Sequence, residues 1–316
     1  MKKALAVLVV CAAVIAFVTA ASAGEVKLIL ATGGTAGTYY PFGGAMAKIW
    51  GSKIPGMNVT AQATGASIEN IRLMNKDEVE LALVQSDNID WAFYGKEVFK
   101  EKITKMAAIA VLYPEVVHIV VRGDSPAKTF GDLKGMKVGV GAPGSGTEAN
   151  FRQLMEVYEM KKDDVKGQYL SYAESADQFK DKHIDSFFLT TGVPNSAIMD
   201  VATTRSIKLV SIEDAMVAKI TQKYPFLAPA KIPANTYKGQ PEEVKTIAVM
   251  AVLIAHPKLS ENVVYNLTKT MIDNQSELAS AHAKGKELSL QTATKGVSIP
   301  FHPGAVKYYK EKGVMK

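Results

Sequence analysis

Cysteine is almost absent from this 316-residue chain: the one example, Cys11, sits in the first apolar stretch. The rest of the chain therefore has no disulfide framework, thiolate nucleophile or cysteine metal ligand. Histidine is sparse too, and the five present, His118, His183, His256, His282 and His302, are scattered without metal-ligand spacing. No block of like charge occurs: 37 Lys and Arg face 31 Asp and Glu, a net of +6, with no cluster resembling a nucleic-acid arm. Past the N-terminus no apolar run is long enough to span a bilayer, the best being Ile247 to Ala255. What is present is a globular composition, 47% hydrophobic and 22% charged, in a chain long enough for two lobes of ordinary domain size.

Residues 1–23 read as an export signal. Lys2 and Lys3 precede an apolar run from Ala4 to Val18, and Ala21-Ser22-Ala23 supplies the small residues that precede cleavage. The competing reading is an uncleaved anchor, because the run approaches the ~17 to 20 residues of a spanning helix. Cleavage after Ala23 is the expectation, and it places the protein in the periplasm. It leaves 35 basic against 31 acidic residues, a net of +4.

From Val26 the chain repeats one grammar of strand, polar turn and helix. Val26 to Ala31 reads as a strand, Thr32 to Thr38 as a glycine-rich turn, and the run to about Lys53 as a helix. The same order follows with strand Met57 to Ala63, turn Thr64-Gly65-Ala66 and a helix to about Lys76, capped by Ser67, with Asn70 at the capping-box position. Strand Val79 to Val84 and turn Gln85-Ser86-Asp87 continue it. The second half restarts with strand Lys137 to Gly141, turn Ala142 to Thr147 and helix Glu148 to Glu159. After it come strand Gln168 to Ser171, helix Ala173 to Phe179, strand Ile184 to Leu189, turn Thr190-Thr191-Gly192 and a helix from Pro194. Two similar α/β lobes with parallel strands and helices on both faces are the expectation. The β-branched segment Val116 to Arg122 reads as a strand leaving one lobe for the other. Thr246 to Ile254, after the loops of 223–245 and before helices over 260–286, reads as the return crossing. The first lobe is then discontinuous, 24–117 plus 250–316, and the second is 118–249.

Open α/β sheets bind ligands beyond the carboxyl ends of their strands. At that edge two loops run straight into helices, Thr35 to Tyr40 and Ser145 to Thr147. A helix N-terminus offers unpaired N–H groups and about half a positive charge, worth roughly 0.3 to 1 kcal/mol to a carboxylate. Two such ends across a cleft suit a ligand with two acidic groups, or one acid and one polar end. For a single loop, plain helix capping explains the pattern equally well; its recurrence in both halves favours a site. Tyr39 and Tyr40 follow the glycine loop directly, so at least one is expected to touch ligand, and Tyr113 stands at the crossover. Thr64, Ser67, Gln85, Ser86 and Thr191 are the polar groups on the remaining loops. Arg72, Arg122 and Arg152 are candidate counter-charges, although each reads more readily as a solvated or structural arginine.

Three tempting motifs fail on context. Gly139-x-Gly141-x-x-Gly144 matches the dinucleotide fingerprint formally, but export argues against a nicotinamide or flavin. Ser145 lacks the glycine pattern of a nucleophile elbow. His302, in Pro300-Phe301-His302-Pro303-Gly304, reads as a packed loop residue.

The stretches Thr32-Gly33-Gly34-Thr35-Ala36-Gly37-Thr38-Tyr39-Tyr40-Pro41, Thr64 to Asn70, Leu83 to Asp87, Val138 to Thr147 and His302 to Ala305, in that order, resemble the TAXI family. These are the TRAP-associated extracytoplasmic immunogenic solute receptors. The resemblance implies a periplasmic binding protein of the second structural type, two α/β lobes around a ligand cleft joined by two crossing strands. It also implies delivery of a glutamate-like or other C5 acid to a TRAP membrane permease driven by an ion gradient. Carried over residue by residue, the family's ligand loops fall on Thr35, Gly37, Thr38, Tyr39 and Tyr40; on Thr64, Gly65 and Ser67; on Gln85 and Ser86; on Ser145, Gly146 and Thr147; and on Thr191 and Gly192. Ala36 and Ala66 stand where many relatives carry glycine.

The expectation is a monomeric receptor for a small carboxylate, such as a glutamate-like amino acid, a C5 dicarboxylate or a 2-oxo acid. It is not an enzyme, and it uses no cofactor, metal or nucleic acid. A periplasmic sensor subunit for a signalling kinase would share the fold. An exported hydrolase is the more distant alternative.

Overall fold

A computed structural model describes residues 25–316; the expected export signal and its cleavage point after Ala23 lie outside the described residues. The chain opens with β1 (Val26–Ala31), α1 (Tyr39–Lys53), β2 (Met57–Gln62), α2 (Ser67–Asn75), β3 (Leu81–Gln85) and α3 (Ser86–Tyr94). The long strand β4 (Ala107–Arg122) leads to β5 (Lys137–Gly139), α4 (Gly146–Val157), β6 (Lys166–Gln168), α5 (Tyr172–Lys180), β7 (Ser186–Thr191) and α6 (Ser196–Thr204). Then come β8 (Ile207–Leu209), α7 (Asp214–Lys223), β9 (Ala228–Ile232), β10 (Val244–Ala255), α8 (Glu261–Asp273), α9 (Gln275–Ala281) and α10 (Pro303–Glu311).

Apolar spacing explains the main elements. In α1, Phe42, Met46, Ile49 and Trp50 recur at helical spacing and are all buried, and the Trp50 indole donates to Leu267 O at 2.9 Å. Every residue of β3 is buried, the pattern of a strand covered on both faces. Each large apolar side chain so buried is worth roughly 1.5–3 kcal/mol.

The strands form one sheet in the order β2-β1-β3-β10-β4-β7-β5-β6, with β8 on β4 and β9 on β10. β1 is parallel to β2 and β3, and β5 to β6 and β7. At the centre the two crossing strands, β4 and β10, are antiparallel to each other, β4 also to β7 and β10 also to β3. A chain that leaves a lobe and returns must cross in both senses. β10 pairs with β9 over Val244–Ala248 and with β3 over Ala251–Ala255, while β4 pairs with β7 from Val116 onward. The exchange of partners falls at Pro114 and Glu115, opposite Met250 and Val249. The core divides accordingly. One cluster, built on Phe42, Trp50, Tyr308 and Tyr309, takes residues before 114 and after 250; another, built on Phe130, Phe151 and Phe188, takes residues between 117 and 249.

Several elements differ from the sequence reading. β9 lies within the stretch read as loops; its Pro229 and exposed residues conceal an edge strand. His302 caps α10, with Nδ1 accepting from Gly304 N at 3.2 Å and Nε2 lying 3.1 Å from Leu259 O. Ser67 does not cap its helix: its hydroxyl accepts from Gln85 N at 3.1 Å. Asn70 reaches no cap either, since its amide donates to Thr32 O and Leu83 O, tying the first turn to β1 and β3.

Candidate functional site

The loops at the carboxyl ends of β1, β2 and β3 meet those of β5 and β7 around a cavity of about 60 Å³, lined by residues of both lobes. A single water needs roughly 10–15 Å³ on this measure, so the space suits a ligand of a few water-sized groups.

Three sets of hydrogen bonds hold the lobes together over this cavity. At one rim Gly192 N donates to Thr38 Oγ1 at 3.1 Å, Thr38 Oγ1 lies 3.0 Å from Thr191 Oγ1, and Asn195 and Ser196 both donate to Ala36 O. At the other, Ile68 N and Glu69 N, the first free amides of α2, donate to Gly144 O at 3.1 Å each. Gly144 can turn its carbonyl there because it adopts φ +74°, a conformation open to glycine. The third set is buried beside the cavity: Asp87 Oδ2 accepts from Asn150 Nδ2 at 3.0 Å and from Gln153 Nε2 at 3.3 Å. Burial pushes the Asp87 carboxyl up to about 6 against these donors.

The second-lobe wall is the N-terminus of α4. Ser145 caps it, its hydroxyl accepting from Glu148 N at 3.0 Å. The amides of Gly146 and Thr147 have, by position, no intrahelical acceptor, and both residues line the cavity. Gly146 is packed so closely that a Cβ there would lie 2.0 Å from Gln85 Oε1. Tyr172 OH donates to Thr190 O at 2.7 Å, so the Thr147 hydroxyl donates in turn to Tyr172. Thr190 lines the cavity, and its buried Oγ1 has no hydrogen-bond partner among the described residues.

The floor carries an acid. Glu115, at the partner exchange of β4, is 3% exposed and lines the cavity. Tyr39 OH donates to its Oε2 at 2.6 Å. Burial, with Asp87 as a like-charged neighbour, pushes the Glu115 carboxyl up to about 8. Burial and the Glu115 charge likewise hold the Tyr39 phenol well above its ordinary range. Among the described residues lining the cavity, the ionisable ones are Glu115 and the tyrosines Tyr39 and Tyr172, with no lysine or arginine.

Of the residues singled out in the sequence, Gly37, Thr38, Tyr39, Thr64, Gly65, Ser67, Gln85, Ser145, Gly146, Thr147 and Thr191 line the cavity. Five do not. Thr35 is exposed at the loop tip, and Tyr40, one residue round the helix from Tyr39, points outward at 37% exposure. Ser86 is buried in the first turn of α3. Tyr113 packs edge-to-face against Phe42, with ring centroids 5.1 Å apart. Gly192 contributes its amide to the Thr38 rim contact. None of the three arginines reaches the cavity: Arg122 donates to Phe179 O and Ile184 O, Arg152 pairs with Glu148, and Arg72 lies over Phe99.

Sequence reading missed Gly34, Glu115, Ala142, Ser171, Tyr172 and Thr190 as lining residues, while Ala66 lines the cavity within the carried-over loop Thr64 to Ser67. For Glu115 a signal existed, a lone acid in the otherwise apolar run of β4. Ala66 adopts φ +74° and ψ −146°, a region that is essentially glycine's.

Comparison with known proteins places this geometry. The model of the NMT1-like family matches residues 30–313. The chain belongs to the NMT1-like family. Among solved structures this NMT1-like protein is similar to a Bordetella bronchiseptica RB50 protein, with 16% identity, 92% of this chain and 89% of that one covered, and a TM-score of 0.55. It is also similar to the alkanesulfonate-binding protein SsuA from Xanthomonas axonopodis pv. citri bound to MOPS, at 12% identity, 92% of each chain and a TM-score of 0.51. A third is the zinc-bound ligand-binding component of an ABC-type import system from Staphylococcus aureus, at 11% identity, 91% and 92% coverage and a TM-score of 0.51. At these identities the likeness establishes the fold, the two-lobed α/β architecture of periplasmic binding proteins.

Proposed function

We propose that this NMT1-like protein is a periplasmic solute receptor that captures a small carboxylate and delivers it to an ion-coupled TRAP permease. The observation that carries the reading is the cavity itself, flanked by three sets of hydrogen bonds between two lobes that share two crossing strands. A ligand touching both lobes favours the closed arrangement by the difference in its affinity for closed and open forms. The α4 amides at Gly146 and Thr147, with the unpartnered Thr190 hydroxyl, are the groups offered to a ligand carboxylate. The TRAP assignment rests on the loop sequences that resemble TAXI receptors, which extend from Thr32 to Ala305.

A thermal-shift screen of refolded protein starting at residue 24 against amino acids, C4 and C5 dicarboxylates and 2-oxo acids tests the capture step. Ligand at 100 times its dissociation constant adds about 2.7 kcal/mol, a rise of several degrees for a chain this size. A flat response to every acid would remove the carboxylate reading. Uptake into vesicles that stops when the sodium gradient is collapsed, and persists without ATP, supports the TRAP assignment; the reverse dependence contradicts it.

A further inference from the structure

The geometry points to Glu115 as the residue that recognises a ligand ammonium group, so that the receptor selects zwitterions over acids carrying negative charge alone. This rests on the receptor reading above and narrows it.

Glu115 lies on β4 at the exchange between lobes, lines the cavity and is held by Tyr39 through one oxygen, Oε2. Gln85 from the end of β3 faces it as a second polar group, and Asp87 from α3 faces it as a like charge. Tyr113, its neighbour on β4, and Tyr172 from α5 complete the titratable surroundings within the two lobes. Among the described residues Lys284 is the cation that acts on it, and the Lys284 ammonium is itself paired with Glu287 at 2.6 Å. The opposite wall, by contrast, is made of helix-terminal amides and hydroxyls suited to a carboxylate. The cavity thus has a carboxyl end and an anion-accepting end, a pairing that suits an α-amino acid better than an acid without an amino group.

A proton follows from this arrangement. In this closed arrangement burial holds the Glu115 carboxyl near 8, so it is largely neutral at pH 7 unless a cation lies beside it. An ammonium beside it favours the carboxylate, so the proton leaves to the buffer as the ligand enters. The complex then binds one proton fewer than the free receptor, and binding tightens as pH rises toward 8 and weakens below it, by roughly tenfold per pH unit at the limit. Above the ligand's own ammonium range it weakens again.

The test is calorimetric titration with matched pairs that differ only in the amino group: alanine against pyruvate, and glutamate against 2-oxoglutarate and glutarate. Titrations in buffers of different ionisation enthalpy count the protons exchanged. The expected result is that the amino form binds at least a hundredfold more tightly than its oxo partner, with close to one proton released near pH 7. Glu115→Gln is expected to abolish both the preference and the proton release. Tighter binding of an oxo acid or dicarboxylate, with proton uptake, would overturn the inference and leave the receptor intact, Glu115 then acting as a neutral donor to an acid. Failure of every acid to bind wild-type protein would remove the receptor reading and this inference with it. Should the variant not fold, the proton count and pH slope of the wild-type protein decide the question alone.

Discussion

Two helix N-termini face each other across the cleft, and their amides go to different partners. At α2, Ile68 N and Glu69 N donate to Gly144 O of the opposite lobe, Gly65 N donates to the Glu69 carboxylate and Ala66 N to Thr64 Oγ1. At α4, Ser145 satisfies Glu148 N, while Gly146 and Thr147 present theirs along the cavity wall. The first terminus is therefore spent on holding the lobes shut, and the second lines the cavity. The carbonyl that closes α2 belongs to the same turn that opens α4, so movement of that one turn couples lobe contact to the cavity wall.

The largest break in this comparison is Gly146→Val. Its Cβ would collide with Gln85, and overpacking of 1–3 kcal/mol falls on the closed form alone. Affinity is expected to drop by up to about 100-fold by calorimetry, with the ligand-free melting temperature little changed. Next is Asn150→Asp, which sets a second carboxylate against Asp87, 3.0 Å from its Oδ2. Like charges in a buried contact disfavour closure, so binding is expected to weaken about 10-fold or more at pH 8. Because Asp87 already stands near 6, the affinity should recover in part at pH 5, where the pair can share a proton. Thr147→Ala removes the hydroxyl that links α4 to Tyr172; a net loss of about 0.5–1.5 kcal/mol predicts a two- to tenfold weaker complex. The smallest effect concerns α2: Ala66→Gly relieves the φ +74° backbone and is expected to raise the melting temperature by about 2–4 °C.

Much of the architecture was legible because it is written in periodicity. The strand, glycine loop and helix of residues 26–53 follow from apolar spacing, and the crossing strands follow from β-branched runs. The loops that line the cavity were legible for the same reason, since they sit where strands end. What was not legible depends on distant pairing. Ser67 resembles a cap by local rules, but Gln85 N claims its hydroxyl and Gly144 takes its place at the helix amides. Glu115 looks like a strand residue until β4 places it on the cavity floor beside Tyr39. Tyr172 and Thr190 enter the site only through a contact between α5 and the end of β7.

Closure of the lobes on a ligand about the β4 and β10 crossing has a direct test. Tyr40 on α1 and Met199 on α6 belong to opposite lobes and are 37% and 50% exposed. In protein starting at residue 24, Tyr40→Cys with Met199→Cys provides the only two thiols, ready for spin labels and a pulsed electron–electron distance measurement. Saturation with the acid giving the largest thermal shift should turn a broad, longer distribution into a single narrow, shorter one. An identical distribution with and without that acid would contradict closure on the ligand.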